Sequence, residues 1–258
     1  MLVVSLTGGI ASGKSTTSRL FSGSPYNIPL IDLDVLAREV VEPNDASKTL
    51  KKLVDHFGAE AILNEDGTLN RAALGRLIFG KEQEQNRKVA NKYIHSAVRK
   101  RTAWLVMKYW LTGTPVVIID TPLAVEAGLW KFCGEMILVY CPAEQQLERM
   151  IKRDSDKGLT REDAENRLNS QLALEKKISY ADVVLDNADN AKSTLEQQVK
   201  EVVERWETQH NRGLGKVRTL VQWLIPPVGL IMALYATWAR TSRVSKRLRE
   251  EKQKERSQ

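Results

Sequence analysis

Gly8-Gly-Ile-Ala-Ser-Gly-Lys-Ser15 is the stretch that decides the fold of this chain. It satisfies the pattern Gly-x-x-x-x-Gly-Lys-Ser/Thr, directly after an apolar run and directly before a helical pattern at residues 16–21. Glycines let the backbone wrap closely, so that successive N–H groups and the start of the helix point at phosphate oxygens. The stretch therefore predicts a phosphate-binding loop for a nucleoside triphosphate. The residues expected to bind it are Gly8, Gly9, Ile10, Ala11, Ser12, Gly13, Lys14, Ser15 and Thr16.

Short apolar runs rich in β-branched residues alternate with longer helical patterns along the chain. This alternation is typical of parallel strands joined by crossover helices. It predicts strands at residues 2–6, 28–31, 116–119, 136–140 and 183–185. The expected fold is α/β, a three-layer fold of the P-loop NTPase kind around a five-stranded parallel sheet, with a hydrophobic helix near the C-terminus.

The interval between the second and third strands is much longer than a crossover needs. It holds helical patterns near 46–57, 70–79 and 82–110, so we expect a helical insertion at about 44–113 that binds the acceptor substrate. After the fourth strand, two helices joined by a charged tip predict a lid at about 149–171, with a capping box at Thr160-Arg-Glu-Asp163. These assignments make residues 1–207 a catalytic domain and residues 208–258 a tail.

The phosphate loop alone does not specify the reaction. Switch GTPases need Asn-Lys-x-Asp to read the base, and Asn91-Lys92, where that pattern could begin, is followed by Tyr93 and Ile94. A substrate subdomain and a lid that exclude water from the phosphates are typical of small-molecule kinases. The sequence therefore favours an ATP-dependent kinase.

Two carboxylates close the second predicted strand in Ile31-Asp-Leu-Asp34. Residues at i and i+2 of a strand point to one face, and the carboxyl end of a strand can face the crevice beside the phosphate loop. One carboxylate can then accept the proton of an attacking hydroxyl while the other holds metal-bound water or Lys14. The alternative is a solvated helix cap, because Asp34 precedes a helical pattern at 35–41.

Five ordered blocks form a more specific pattern than the phosphate loop by itself. They are Leu6-Thr-Gly-Gly-Ile-Ala-Ser-Gly-Lys-Ser-Thr16, Ile31-Asp-Leu-Asp-Val-Leu-Ala-Arg38 with Val40-Val-Glu-Pro43, Asp66-Gly-Thr-Leu-Asn-Arg71 with Leu74-Gly75, Ile119-Asp-Thr-Pro-Leu123 and Ala181-Asp-Val-Val-Leu-Asp-Asn187. Over about residues 1–207 the sequence closely resembles dephospho-CoA kinase. The resemblance implies transfer of the γ-phosphoryl group of ATP to the ribose 3′-hydroxyl of dephospho-CoA, the final step of coenzyme A biosynthesis.

The resemblance also implies roles for individual residues, with ATP and Mg²⁺ as cofactors. Asp34 matches the general base, and Arg149 matches an arginine at the base of the lid that faces the transferring phosphate. Asn187 falls where the loop after the last strand meets the adenine of ATP, and Thr7, Lys14 and Ser15 match phosphate and Mg²⁺ contacts. The expected sets are Asp34, Lys14 and Arg149 for catalysis, Thr7, Asp34, Arg71 and His95 for the substrate, Ser15, Asp32 and Asp120 for the metal, and Arg153, Arg161 and Arg167 as further lid candidates.

Some of these residues have plainer alternatives. His95 lies in His-Ser-Ala-Val98, where the family usually has His-Pro-x-Val, and a satisfied histidine on a helix is the better interpretation. Arg71 could bind a substrate phosphate or cap its own helix, and Asp32 and Asp120 could be structural. Ala11 stands where the family often has glycine, so we expect its φ to be negative.

The formal charge of +7 comes from the end of the chain. Eleven Lys and Arg but three Asp and Glu lie between Thr208 and Gln258. The rest of the chain is close to neutral and offers no broad phosphate-binding face, so no nucleic-acid partner is expected. The two cysteines, Cys133 and Cys141, make no disulfide framework.

Residues 219–239 carry no charge and lie between Arg218 and Arg240. At ~1.5 Å per residue they match the ~30 Å of a hydrocarbon core, although Pro226-Pro227 would kink or break such a helix. We therefore expect a membrane anchor, either a kinked transmembrane span or a wedge of two short helices in one leaflet. The alternative is a soluble amphipathic docking helix. In each case residues 240–256 should be attracted to anionic lipid. The catalytic domain is expected in the cytosol, anchored to the mitochondrial outer membrane or the endoplasmic reticulum.

Two other functions stay open at this point. One is a nucleoside monophosphate kinase-like enzyme of the same fold, against which the Asp-x-Asp and Asp-Gly-x-Leu-x-Arg blocks argue. The other is a catalytically silent nucleotide-binding membrane scaffold. The presence of Lys14, Ser15, Asp34 and Arg149 together argues against that scaffold.

Overall fold

A five-stranded sheet runs through the computed structural model, which describes residues 1–211 and 226–257. The order across the sheet is β2-β3-β1-β4-β5; β1 pairs in parallel with β3 and β4, and β4 pairs in parallel with β5. The α/β class and the five strands predicted from the sequence are confirmed. The strands are β1 (Leu2–Gly8), β2 (Leu30–Asp32), β3 (Val116–Asp120), β4 (Glu135–Tyr140) and β5 (Val183–Asp186).

Helices occupy most of the remaining chain. In chain order they are α1 (Lys14–Ser22), α2 (Leu33–Glu39), α3 (Thr49–Phe57), α4 (Ala59–Ile62), α5 (Arg71–Ile78), α6 (Glu84–Leu111), α7 (Ala143–Asp154), α8 (Arg161–Asn169), α9 (Leu174–Ile178), α10 (Leu195–Asn211) and α11 (Pro226–Ser257). The described residues thus alternate between strands and helices as the apolar periodicity predicts.

The strand order places a topological switch point at β1. From β1 the chain passes to one side of the sheet, through β2 and β3, and then crosses to the other side with β4 and β5. Ligands of open α/β sheets bind beside the carboxyl ends of the strands at such a point. The loop that follows β1 is the predicted phosphate loop, so the fold puts it where a ligand is expected.

Apolar clusters lie on both faces of the sheet. On one face, Phe21 of α1 stacks on Trp206 of α10, with their ring centroids 5.5 Å apart. Side chains of β4 alternate between this cluster and others on the opposite face, because successive residues of a strand point to opposite sides. Ile137 and Val139 join Phe21 and Trp206, whereas Met136 and Leu138 pack elsewhere.

The chain forms two compact units. One comprises Met1–Leu30 and the described residues of Tyr109–Gln258, and the other is Ile31–Lys108. The second unit holds α2 to α5 and most of α6, and Asp32 and Asp34 belong to it. The substrate-binding insertion expected at about 44–113 stays a prediction.

Helix α11 belongs to the unit that contains β1, and Arg240 attaches it there. The guanidinium is 1% exposed. It lies 2.6 Å from Oδ2 of Asp182, and it donates hydrogen bonds to the carbonyl oxygens of Tyr180 at 3.0 Å and of Trp130. One turn further on, Val244 is buried in the cluster around Trp130. This face of α11 is therefore an internal contact of the protein.

These contacts correct the interpretation of the tail. Residues 219–225 of the apolar segment lie outside the described residues. Within 1–211 and 226–257, no helix is long and apolar enough to cross a membrane. Helix α11 continues through Arg240 to Ser257, and Arg240, expected at a lipid surface, is paired inside the protein. The predicted transmembrane helix is therefore not supported.

Replacing Arg240 tests this attachment. The variant Arg240→Met removes the charged partner of Asp182, which keeps a hydrogen bond from Met136 N–H, and the donor of two carbonyl oxygens. We therefore expect the free energy of unfolding to fall by about 3 kcal/mol. The control Arg243→Met changes an exposed arginine on the same helix and should alter stability by less than about 0.5 kcal/mol. Urea unfolding followed by circular dichroism measures both, and equal stability of the Arg240 variant and the natural protein would contradict the assignment.

Candidate active site

The predicted phosphate loop joins the carboxyl end of β1 to the first turn of α1. Gly13 precedes the helix with a φ of +97°, in the left-handed region that favours glycine. A Cβ on Gly13 would lie 2.2 Å from Nδ2 of Asn187, and a Cβ on Gly8 would lie 2.5 Å from Oγ of Ser12. Glycine is thus required at both positions, and the tight winding turns the N–H groups of the helix start toward an incoming anion.

Ala11 differs from the expectation that its φ is negative. Its φ is +59°, where a Cβ costs about 1 kcal/mol. Neighbouring bonds hold this conformation: Ser12 N–H donates to Gly9 O at 3.2 Å, and Asn187 Nδ2 donates to Ser12 O at 2.8 Å. The loop therefore keeps its shape against a local strain at Ala11.

A carboxylate of the neighbouring strand holds Lys14. The Lys14 Nζ lies 2.7 Å from Oδ1 of Asp120, a residue at the end of β3 that is 3% exposed. The other oxygen, Oδ2, accepts a hydrogen bond from Ser18 Oγ at 2.6 Å. A buried carboxylate is costly unless it is paired and hydrogen-bonded, and Asp120 has both kinds of partner. The ion pair fixes the amine of Lys14 at the start of α1.

The predicted metal residues do not form a cluster of carboxylates. Asp120 is bonded to Lys14 and Ser18, and the described part of the chain contains no group of three or more His, Cys, Asp or Glu side chains that could hold an ion. Mg²⁺ bound with a nucleotide takes one or two protein oxygens and completes its shell with phosphate oxygens and water. The hydroxyl of Ser15, exposed in the first turn of α1, fits that donor set.

Thr7 lies beneath the loop. Its side chain is completely buried, and Oγ1 donates a hydrogen bond to Pro122 O at 3.1 Å. The same carbonyl oxygen accepts a hydrogen bond from Nζ of Lys177 at 2.9 Å. Thr7 therefore binds the segment that follows β3, whereas a direct contact with substrate would need an exposed hydroxyl.

Arg149 lies on α7, at the base of the predicted lid. Its guanidinium lies 2.5 Å from Oδ1 of Asp189 and 2.9 Å from Asn187 O, and it approaches Sγ of Cys141 at 3.2 Å. Asn187 also reaches the loop, since its side chain donates to Ser12 O. The structure thus brings Arg149, Asn187 and the phosphate loop together.

Both cysteines are buried, and their thiols have raised pKa values. Burial raises the pKa of Cys141, although the nearby Arg149 guanidinium acts in the opposite direction. Burial also raises the pKa of Cys133 to about 12. Because the thiolate is the reactive form of cysteine, a raised pKa leaves less of that form near neutral pH than an exposed cysteine has.

The lid helices are tied together by Asp154. This buried residue lies at the end of α7, 2.8 Å from the guanidinium of Arg153 and 3.9 Å from that of Arg167. Thr160 caps α8 by accepting a hydrogen bond from Asp163 N–H at 3.1 Å, so the predicted N-cap is confirmed. The Asp163 carboxylate accepts a hydrogen bond from the Thr160 hydroxyl at 2.7 Å and not from its backbone N–H, as a full capping box would require. Two of the three lid arginines expected from the sequence thus hold Asp154 in this structure.

In the second compact unit, Asp32 caps α2. Its Oδ1 accepts hydrogen bonds from the N–H groups of Asp34 at 2.8 Å and Val35 at 3.1 Å. The helix-cap alternative therefore applies to Asp32, and its expected role at the metal stays a prediction. Asp34 is exposed in the first turn of α2.

Arg71 and His95 lie in the same unit as Asp34. Asn70, rather than Arg71, caps α5, because its side chain accepts a hydrogen bond from Ala73 N–H at 2.9 Å. Arg71 donates to the carbonyl oxygen of Arg38, near the end of α2, at 3.3 Å. His95 is exposed on α6. Arg71 therefore contacts the helix that begins beside Asp34.

Sequence reasoning missed Ser18 and Lys177. Ser18 stands one helical turn after Lys14, so both side chains lie on one face of α1, and this spacing could have found it. Lys177 stands in Glu175-Lys-Lys177, which predicts a solvated helix surface, yet its side chain is completely buried. No local pattern distinguishes it from its neighbour Lys176.

The strain at Ala11 makes a prediction about stability. The variant Ala11→Gly removes the Cβ from a left-handed conformation and so relieves its strain. This gain in stability is larger than the loss that comes from the extra conformational entropy of glycine in the unfolded chain. We expect the free energy of unfolding to rise by roughly 0.5 kcal/mol, with the ATP dissociation constant unchanged. Urea unfolding and calorimetric titration measure the two quantities, and a clear loss of stability would show that Ala11 is not strained.

Comparisons with known proteins identify the family of this chain. Residues 2–193 match a family model described as dephospho-CoA kinase. The chain is 39% identical over 196 residues to a protein of Oryza sativa subsp. japonica named dephospho-CoA kinase, covering 76% of this chain and 81% of that one. It is 37% identical over 235 residues to the dephospho-CoA kinase CAB5 of Saccharomyces cerevisiae, covering 90% of this chain and 91% of that one.

A solved structure shares the fold of this chain. The crystal structure of TT1252 from Thermus thermophilus matches with a TM-score of 0.62 and 28% sequence identity, covering 81% of this chain and 97% of that one. The match to the yeast relative is longer than the family model and therefore includes part of the chain beyond residue 193. From its phosphate loop, its sheet and these matches, the chain belongs to the dephospho-CoA kinase family.

Proposed function

We propose that this chain phosphorylates the ribose 3′-hydroxyl of dephospho-CoA with ATP, giving coenzyme A and ADP. Membership of the family supports the acceptor, and the phosphate loop supports the donor. The observation that carries the proposal is the 2.7 Å pairing of Lys14 with Asp120. It holds an amine at the helix start, where a P-loop lysine reaches the β- and γ-phosphates of a nucleotide.

The nucleotide is bound by the loop and by the residues beside it. N–H groups of the loop and of the first turn of α1 take the phosphate oxygens, and Lys14 neutralises their charge. Asn187 keeps the loop in shape from the side of β5. Ser15 would hold Mg²⁺, which, when bound with ATP, spreads the negative charge of the phosphates.

Transfer of the phosphoryl group needs a proton acceptor, and Asp34 is proposed for that role. Its carboxylate takes the proton of the 3′-hydroxyl while the hydroxyl oxygen attacks the γ-phosphorus, and the bond to the β-phosphate oxygen breaks to release ADP. Arg149 exchanges Asp189 for the oxygens of the transferring group and neutralises the charge that grows there. The support for these roles is the resemblance in sequence and the exposure of Asp34.

A panel of acceptors tests the proposed reaction. The full chain is mixed with ATP and Mg²⁺, and ADP release is followed with dephospho-CoA, AMP or CMP as acceptor. We expect ADP release with dephospho-CoA and not with the nucleotides. Release with AMP or CMP would favour a nucleoside monophosphate kinase, and binding of ATP without turnover would favour a catalytically silent scaffold.

The proposed base is tested by Asp34→Asn. The amide cannot accept the proton, so we expect kcat to fall by roughly 10² or more, with little change in ATP affinity. The matched control is Asp32→Asn, which keeps an oxygen to cap α2 and should retain most of the activity. Unchanged turnover of the Asp34 variant would remove that carboxylate from the mechanism.

We also propose that the tail contacts membrane lipid. In this proposal the tail binds at the membrane surface and does not cross the membrane. Its support is an exposed apolar group on α11, Leu234, Tyr235 and Trp238, which precedes the basic end of the helix. The proposed location, a cytosolic catalytic domain at the mitochondrial outer membrane or endoplasmic reticulum, depends on that contact.

Flotation with vesicles rich in anionic lipid tests the contact between the tail and the membrane. The full chain should float and Trp238→Ser should float less, whereas no flotation of the full chain would end the proposal.

A further inference from the structure

Lys177, on α9, is a completely buried lysine outside the sets of residues proposed for catalysis. Its Nζ lies 2.8 Å from Oε1 of Glu126 and donates a hydrogen bond to Pro122 O at 2.9 Å. The side chain of Glu126 is 28% exposed, whereas the charge of Lys177 is fully buried. Burying a charge is costly, and pairing it seldom repays the cost in stability alone. Such a pair does hold its two side chains, and the groups bonded to them, in one fixed arrangement. The groups that Lys177 and Glu126 bind therefore indicate the role of the pair.

Each partner of Lys177 also binds an element of the site. The Pro122 carbonyl oxygen accepts a second hydrogen bond from Thr7, at the end of the strand that leads into the phosphate loop. Oε1 of Glu126 accepts a second hydrogen bond from the N–H of Leu172 at 3.1 Å. Leu172 lies in residues 170–177, the return segment, by which the chain comes back from lid helix α8. Lys177 thus connects the return segment, through Pro122 O, to Thr7 at the end of the strand that leads into the phosphate loop.

The return segment also touches the loop itself. A Cβ on Gly9 would lie 3.2 Å from Cγ of Leu174 and 2.5 Å from Oε1 of Gln146. Leu174 belongs to the return segment, and Gln146 belongs to α7, which leads into the lid. The two ends of the lid therefore meet the phosphate loop at one glycine, and a shift of either end changes how the lid covers the phosphates.

We infer that Lys177 and Glu126 are positioning residues that fix the return segment so that the lid closes in register with the phosphate loop. The inference rests on the proposed kinase activity and assigns the pair no contact with substrate. A lid held in register keeps water from the γ-phosphate, whereas a loosened lid admits water as a competing acceptor. Water then replaces the 3′-hydroxyl as the attacking group, and the products are ADP and inorganic phosphate.

Two variants of the full chain test the pair, with one matched control. Lys177→Met keeps the length of the side chain without its charge, and Glu126→Gln keeps an acceptor oxygen for Leu172 while weakening the attraction to Lys177. The control Lys176→Met makes the same change at the exposed neighbouring residue. Thermal unfolding first shows that each variant is folded at the assay temperature, and Glu126→Gln serves alone if Lys177→Met is not.

The expected result is a loss of coupling between ATP cleavage and transfer. In folded variants we expect kcat for coenzyme A formation to fall about tenfold or more, and more ADP than coenzyme A to be formed. KM for ATP should rise with the faster release of nucleotide, by up to about tenfold. A fluorescent ATP analogue, followed by stopped flow without any acceptor, should leave the variants about tenfold faster than the natural protein and the control. The analogue measures the lid even if dephospho-CoA proves not to be the acceptor.

The inference is overturned if the folded variants release the analogue at the natural rate and make ADP and coenzyme A in equal amounts. A lower melting temperature with natural kinetics would also overturn it, because the pair would then serve stability alone. Absence of coenzyme A formation by the natural protein would instead refute the proposed function, which the same assay reports separately.

Discussion

The ion pair between Lys14 and Asp120 is the interaction on which the site depends. A carboxylate this deeply buried needs partners, and both of its partners lie on α1: the amine of Lys14 at the start of the helix and the hydroxyl of Ser18 one turn later. The pair therefore ties α1 to β3 at the carboxyl edge of the sheet. The ion pair also holds the partly desolvated amine of Lys14 at the start of α1, where the phosphate of a nucleotide is expected to bind.

Around this pair, hydrogen bonds link the segments that follow the strands to one another and to the phosphate loop. Thr7 at the end of β1 and Lys177 both bind Pro122 O after β3, and Asn187 after β5 binds Ser12 O. Apolar packing holds the loop as well, because Ile10 and Ala11 lie against the cluster of Leu147, Met150 and Ala164. Both kinds of contact keep Ala11 in its left-handed conformation. Arg149 is held by the same loop after β5, so the lid and the nucleotide side of the site share one support.

Local patterns predicted much of this from the sequence, because strands, crossover helices, the glycine-rich loop and the cap at Thr160 depend on residues close in the chain. What escaped prediction depends on partners far away in the chain. Lys177 and Arg240 stand in basic stretches typical of solvent-exposed helices, and their burial becomes apparent when Glu126 and Asp182 are brought to them by the fold. Which of Asp32 and Asp34 caps α2 could likewise not be predicted, because the spacing fits a cap at either aspartate. In the structure Asp32 caps the helix and Asp34 is exposed. The sign of φ at Ala11 is set by contacts of Ser12 and Asn187, which no local rule contains.

The most direct test of the account is a crystal structure of the full chain with a non-hydrolysable ATP analogue, Mg²⁺ and dephospho-CoA. We expect the Lys14 amine within hydrogen-bonding distance of the β- and γ-phosphates, Arg149 turned from Asp189 to the γ-phosphate, and the Asp34 carboxylate bonded to the ribose 3′-hydroxyl. A nucleotide bound away from residues 8–15, or a 3′-hydroxyl with another proton acceptor, would contradict the account.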